Sequence, residues 1–162
     1  MLWIIPDNEA SSILQSEIDR LSEIHQTTSF LPHITAARLP KKTPDEIVKA
    51  INDITRRIKN RRISFGELKI SSKPYQKMVV ELNNTPFLSE LSEAVDLAFQ
   101  NSCSKNEFHC SLMYGYTPIS KLKGEKTDIM EHLPDECFAY ELAVVLLNGG
   151  PDEWSVIHRK SL

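Results

Sequence analysis

Short strand-like runs alternate with runs of helical period along this chain, and the order of the first half recurs in the second. Leu2–Ile5 reads as a short buried strand, ended by Pro6-Asp7-Asn8. Leu14, Ile18, Leu21 and then Ile24 or His25 recur at spacings of three or four, so residues 9–25 form an amphipathic helix. Residues 30–39 are strand-like around His33-Ile34-Thr35. Thr43-Pro44-Asp45-Glu46 starts a second helix, with threonine as cap, proline at the first position and glutamate closing a capping box. Ile47, Ile51, Ile54 and Ile58 line its inner face. Residues 63–70 make a strand with Gly66 as a bulge. From Tyr75 the order repeats: a strand over 75–82 after a Ser72-Lys73-Pro74 turn, a helix from Thr85-Pro86 carrying Leu88, Leu91, Val95 and Phe99, and a strand over 108–116. Residues 117–135 are polar and weakly periodic, which predicts a loop with one helical turn near 127–131. A long apolar strand over 138–147, a turn at 148–151 and an alternating strand over 153–159 close the chain.

The 162 residues suit one domain, spanning 1–162, and leave little room for two. The matched order predicts an α+β fold with internal pseudo-symmetry, its half-lobes lying at roughly 1–70 and 71–162 with terminal strands open to exchange. Nineteen basic against twenty-two acidic residues give a net charge of −3, which argues against a surface built to grip long nucleic acid. A compact phosphorylated ligand held by local donors is still compatible with that balance. The longest apolar run, Leu142–Leu147, falls far short of the ~20 residues of a membrane span. Met1–Ile5 is too short for the apolar region of a signal peptide. Cys103, Cys110 and Cys137 have neither zinc nor disulfide-framework spacing. The expectation is a cytoplasmic monomer without a metal or cofactor, compatible with peripheral association with an organelle such as the Golgi.

Two cassettes carry the chemistry. Successive residues on a strand point to opposite faces, so His33 and Thr35 share one face while Ile34 takes the other. His109 and Ser111 likewise share a face, with Cys110 opposite. If the halves meet about a pseudo-twofold, two imidazoles and two hydroxyls converge on one pocket. Such a set matches the needs of phosphodiester hydrolysis. One neutral imidazole takes a proton from attacking water, and one protonated imidazole gives a proton to the departing oxygen. The unperturbed pKa of histidine, ~6.5, allows both forms near neutral pH. The hydroxyls donate to the non-bridging phosphate oxygens.

These residues resemble the paired motifs of the two-histidine (2H) phosphoesterase superfamily. Within it the chain is similar to the cyclic nucleotide phosphodiesterases of plants and fungi. The similarity runs through Leu2-Trp3-Ile4-Ile5-Pro6, Pro32-His33-Ile34-Thr35, the segment from Phe108 to Tyr114, and Gly150-Pro151-Asp152-Glu153-Trp154-Ser155-Val156-Ile157. It implies a bilobal α+β fold, with a water-filled cleft between two antiparallel sheets and helices outside. It also implies that His33 and His109 are catalytic and that Thr35, Ser111, Tyr114 and Trp3 contact substrate. The implied substrates are 2′,3′-cyclic nucleotides, opened to 2′-phosphates, and ADP-ribose 1″,2″-cyclic phosphate, opened to the 1″-phosphate. His109 is assigned as base and His33 as acid, an assignment that a pseudo-symmetric site could reverse. Two other readings compete: an RNA 2′-5′ ligase-like or RNA-end-trimming enzyme of the same superfamily, and a non-catalytic nucleotide-binding module.

Other features have plainer readings. His25, His132 and His158 have no hydroxyl two positions on and read as structural. The basic run Arg56, Arg57, Lys59, Arg61 and Arg62 reads as a solvated helix end, since no aromatics interleave it. Trp3 either stacks on a base or fills core. Trp154 reads as packing or cleft rim, and Cys110 as a small packing hydrophobe.

Overall fold

The computed structural model describes residues 1–100 and 107–162. Cys103 therefore lies outside the described residues. The strands are β1 (Leu2–Pro6), β2 (Ile34–Ala37), β3 (Arg62–Ile70), β4 (Met78–Asn83), β5 (His109–Met113), β6 (Glu136–Leu146) and β7 (Ser155–Ser161). The helices are α1 (Asn8–His25), α2 (Pro44–Arg57), α3 (Pro86–Phe99), α4 (Ile119–Leu122) and α5 (Glu125–His132), and 3₁₀ turns cover Pro74–Gln76 and Pro151–Glu153. No described helix is long and apolar enough to cross a membrane.

The architecture is α+β. Its strands run antiparallel in the order β1-β2-β5-β4-β3-β6-β7, and a further β1–β6 pairing closes the first six into a barrel. The expected two antiparallel sheets are thus joined into one hydrogen-bonded ring. Long strand β6 makes the closure, because one edge holds β1 while the other holds β3 at its start, over Glu136–Phe138, and β7 beyond Glu141. Two places in the ring are narrow. β2 meets β5 through the single pair Ile34↔Cys110, and β3 meets β6 through three pairs.

Helices cover the outer face. Leu14, Ile18 and Leu21 of α1, Ile51 and Ile54 of α2, and Leu88, Leu91, Val95 and Phe99 of α3 are buried with Leu2 and Ile4 in one core. Each such side chain, removed from water, contributes about 1.5–3 kcal/mol. The alternation along β1 sends Trp3 and Ile5 to the other side, where they pack with Ala143 and Val145 in a second cluster. One strand therefore serves two layers: its even residues hold the helices, and its odd residues floor the barrel's inner face.

Local chemistry sets the element ends. Asp7 accepts from Ala10 N at 3.0 Å and from Phe138 N at 2.8 Å, so one carboxylate caps α1 and ties it to β6. The Thr43–Glu46 capping box forms as the sequence predicts, with Glu46 accepting from Thr43 N at 2.9 Å and Thr43 Oγ1 from Glu46 N at 3.4 Å. Thr43→Ala should lower stability by about 1 kcal/mol, read as a reduced melting temperature. Because α2 is remote from the cavity described below, turnover should stay unchanged.

Two segments depart from expectation in type and not only in length. The strand expected from Tyr75 begins at Met78, because Pro74 starts a 3₁₀ turn. Residues 117–135 hold two helices rather than one turn. Buried Leu122 and Ile129 anchor them at a spacing too sparse to register as periodicity, and Arg20 fastens them to α1 through Glu125 at 2.9 Å. The last turn of α1 is covered by His25, whose Nε2 lies 3.5 Å from Glu125, while Ile24 is exposed. The β3 register shifts between Phe65 and Leu68, the place expected for the Gly66 bulge.

Candidate active site

The pair Ile34↔Cys110 joins the middle residues of the two cassettes. Both are fully buried in the helix-side core. Period two then turns their neighbours to the other side. In an antiparallel register, His33 comes level with Ser111 and Thr35 with His109. All four line one cavity of about 600 Å³, together with Trp3 and Tyr114. The structure thus brings the six residues singled out in the sequence to a single place.

His33 sits just before β2 and is almost wholly buried, at 3% exposure. Its ring lies flat on Trp3, with centroids 3.6 Å apart and planes 13° apart. Nδ1 donates to the Leu31 carbonyl at 2.7 Å, which fixes the ring and commits that nitrogen to the backbone. Trp3 in turn is held by its cross-strand partners, Thr35 on β2 and Ala143 on β6. Its indole is buried, so within this cavity it is the floor under His33.

His109 opens β5 and is half-buried. The Gln76 side-chain amide donates to its Nε2 at 3.4 Å. The two histidines thus differ in surroundings: His33 is buried, with its ring on an indole and Nδ1 on a carbonyl, and His109 is half-buried beside the Gln76 amide.

Ser111 is buried, with its hydroxyl close enough to the Tyr114 phenol to influence its ionisation. Burial pushes the Tyr114 phenol well above its usual range, and the Ser111 hydroxyl offsets only part of this. Tyr114 is therefore a neutral hydroxyl throughout the physiological range. Its ring packs on Phe30 at 4.2 Å and on Trp154 at 5.5 Å. Burial also raises the Cys110 thiol to about 12, so it stays protonated and packs as a small hydrophobe.

Seven further lining residues lie outside the six singled out, most of them from the turn before β4 and the segment before β7. Lys73, Tyr75 and Gln76 come from the turn between β3 and β4, where no periodicity marks them. Trp154 follows the last 3₁₀ turn and stands edge-on to Trp3 at 5.7 Å and to His33 at 6.0 Å. Trp154 is half-buried, packs against both hydrophobic clusters and lines the cavity, so it has the packing and the rim position at once. Lys73 is the only lysine or arginine among the described lining residues, and no carboxylate is among them.

The remaining histidines lie elsewhere. His25 faces Glu125, His132 ends α5 exposed, and His158 on β7 pairs with Val144. The basic run is partly neutralised in place, with Arg56 on Asp53 at 3.1 Å and Arg62 on Glu136.

A search of curated proteins returns no match. The model of the cyclic phosphodiesterase-like protein family, by contrast, aligns over residues 1–162. That match takes in both cassettes, the β1 segment holding Trp3 and the closing strand, and so the chain belongs to the cyclic phosphodiesterase-like protein family.

Proposed function

We propose that this chain hydrolyses small cyclic phosphates by two-histidine acid–base catalysis without a metal. A nucleoside 2′,3′-cyclic phosphate gives the 2′-phosphate, and ADP-ribose 1″,2″-cyclic phosphate gives the 1″-phosphate. His109 Nε2 takes a proton from water as the water oxygen attacks phosphorus. The bond from phosphorus to the 3′ oxygen breaks, and the His33 imidazolium gives its Nε2 proton to that oxygen. Thr35 and Ser111 donate to the non-bridging oxygens, where charge shifts during the displacement.

The observation that carries this reading is the Ile34↔Cys110 pairing, which sets two imidazoles and two hydroxyls around one cavity. The contrast between the histidines supports the assignment of roles. An amide N–H donated to His109 Nε2 suits a neutral ring whose lone pair lies at that atom, where the attacking water would take the amide's place. An indole face against His33 suits a cation, as aromatic faces attract positive charge. The two narrow places in the barrel support the bilobal reading. They divide it into β3, β4 and β5 on one side and β1, β2, β6 and β7 on the other, with terminal strands exchanged between the chain's halves.

The test is product analysis after digestion of a 2′,3′-cyclic nucleotide, with and without a chelator. The expected result is a 2′-phosphate at equal rates in both. A 3′-phosphate would reverse the leaving oxygen, and loss of turnover in chelator would overturn the metal-free scheme.

A further inference from the structure

A second cavity of about 310 Å³ adjoins the first, sharing Pro74, Tyr75 and Tyr114 as a common wall. That volume is at the low end of ligand pockets, ~300–1,000 Å³, and suits one nucleoside-sized group rather than a strand. The wall is built rather than incidental. Gly115 N donates to the Pro74 carbonyl at 2.8 Å, pinning the Pro74–Gln76 turn to the end of β5. Gly115 sits at φ +125°, and a Cβ there would come within 3.0 Å of Thr27 Cγ2, so the close approach requires glycine.

The linings of the two cavities differ in chemistry. The second has no charged residue among the described ones. Instead it has two largely exposed aromatics, Tyr75 at 64% and Tyr116 at 86%, and the amide and hydroxyls of Gln26, Thr27 and Thr28. Neutral rings beside hydrogen-bonding groups suit a planar, uncharged base with polar edges. Lys73 lies at the start of the shared wall. Its backbone N donates to Ser71 Oγ at 3.0 Å, and its carbonyl accepts from Gln76 N at 3.1 Å. A cation thus stands on the first cavity's side of the junction, and no acidic residue is among the described residues lining either cavity.

We propose that the second cavity is a distal nucleobase subsite, taking a base tethered to the reacting ribose by an anionic phosphate bridge that Lys73 meets. The inference rests on the acid–base reading above and assigns the part of the ligand remote from the histidines. The bridge could be a pyrophosphate or a 3′,5′-phosphodiester, and both give the same chemistry at Lys73.

The test compares kcat/KM for a mononucleoside 2′,3′-cyclic phosphate, for ADP-ribose 1″,2″-cyclic phosphate and for a dinucleotide ending in a 2′,3′-cyclic phosphate. It uses the unaltered chain, Tyr116→Ala and Lys73→Gln. Tyr116 is so exposed that its removal leaves the fold intact. In each variant the ratio of tethered to mononucleotide kcat/KM should fall about tenfold for at least one tethered substrate, chiefly through KM. The substrate that responds identifies the bridge. Unchanged ratios for both tethered substrates would overturn the subsite. If the unaltered chain turns over none of the three, the acid–base reading fails, and calorimetric titration with ADP-ribose decides the subsite separately. Binding weakened about tenfold by Tyr116→Ala supports it, and absent or unaffected binding overturns it.

Discussion

His109→Ala and His33→Ala each lower turnover of a 2′,3′-cyclic nucleotide by at least about 10²-fold, or about 2.7 kcal/mol of barrier. In the proposed mechanism each imidazole handles a proton on a reacting oxygen, and no other imidazole and no carboxylate is among the described residues lining the cavity. Lys73 lies at the rim, and the Tyr114 phenol is held neutral by burial. The two variants should differ in their side effects. His109 is half-buried, so its removal leaves the fold nearly unaffected. His33 is buried, stacked and bonded to Leu31, so its alanine variant loses some stability as well. If both protons move in one displacement, the effects do not add, and the double variant should be little worse than the poorer single one. Rates must be measured where circular dichroism shows each variant folded. Unimpaired turnover in either single variant would end the two-histidine mechanism.

Much of the site was legible because period two is a strong rule. The cassette His33-Ile34-Thr35 needs only a strand and a core on one side to predict which residues face the cleft. Cys110 matches Ile34 in that role, and the two indeed pair across β2 and β5. The helix starts were equally plain, since Thr43-Pro44-Asp45-Glu46 satisfies its own backbone donors locally. What could not be read were features made by distant chain segments. Gln76 reaches His109 across 33 positions, and its turn carries no pattern of its own. The closed barrel depends on β6 holding different strands along one edge, which a run of apolar residues does not encode. α4 and α5 are held by two buried side chains and an ion pair to Arg20, 105 positions away. The sequence left Trp3 open between base platform and core filler, and its flat contact with His33 adds a third candidate role, the support of the ring proposed as the acid.

Those three roles predict different outcomes for Trp3→Ala, and the support role predicts the largest combined effect. Removing a buried indole should cost about 3–5 kcal/mol of stability, since neighbours on β2 and β6 cannot close the space. For a chain of this size the melting temperature should fall by ~10 °C or more. Any core role gives that much. The distinguishing measurement is kinetic, on enzyme held cold enough to stay folded. If the indole holds His33 in place and favours its cationic form, kcat falls about tenfold or more while KM changes little, because a mis-set acid impairs the chemical step. If it is a base platform, KM rises and kcat holds. If it only fills core, neither moves once folding is secured. Trp3→Phe separates these further: a smaller aromatic face still lies under the imidazole, so it should recover most of kcat while recovering only part of the stability. An unchanged kcat in folded Trp3→Ala would remove the support role and leave the Leu31 carbonyl as the contact that fixes His33.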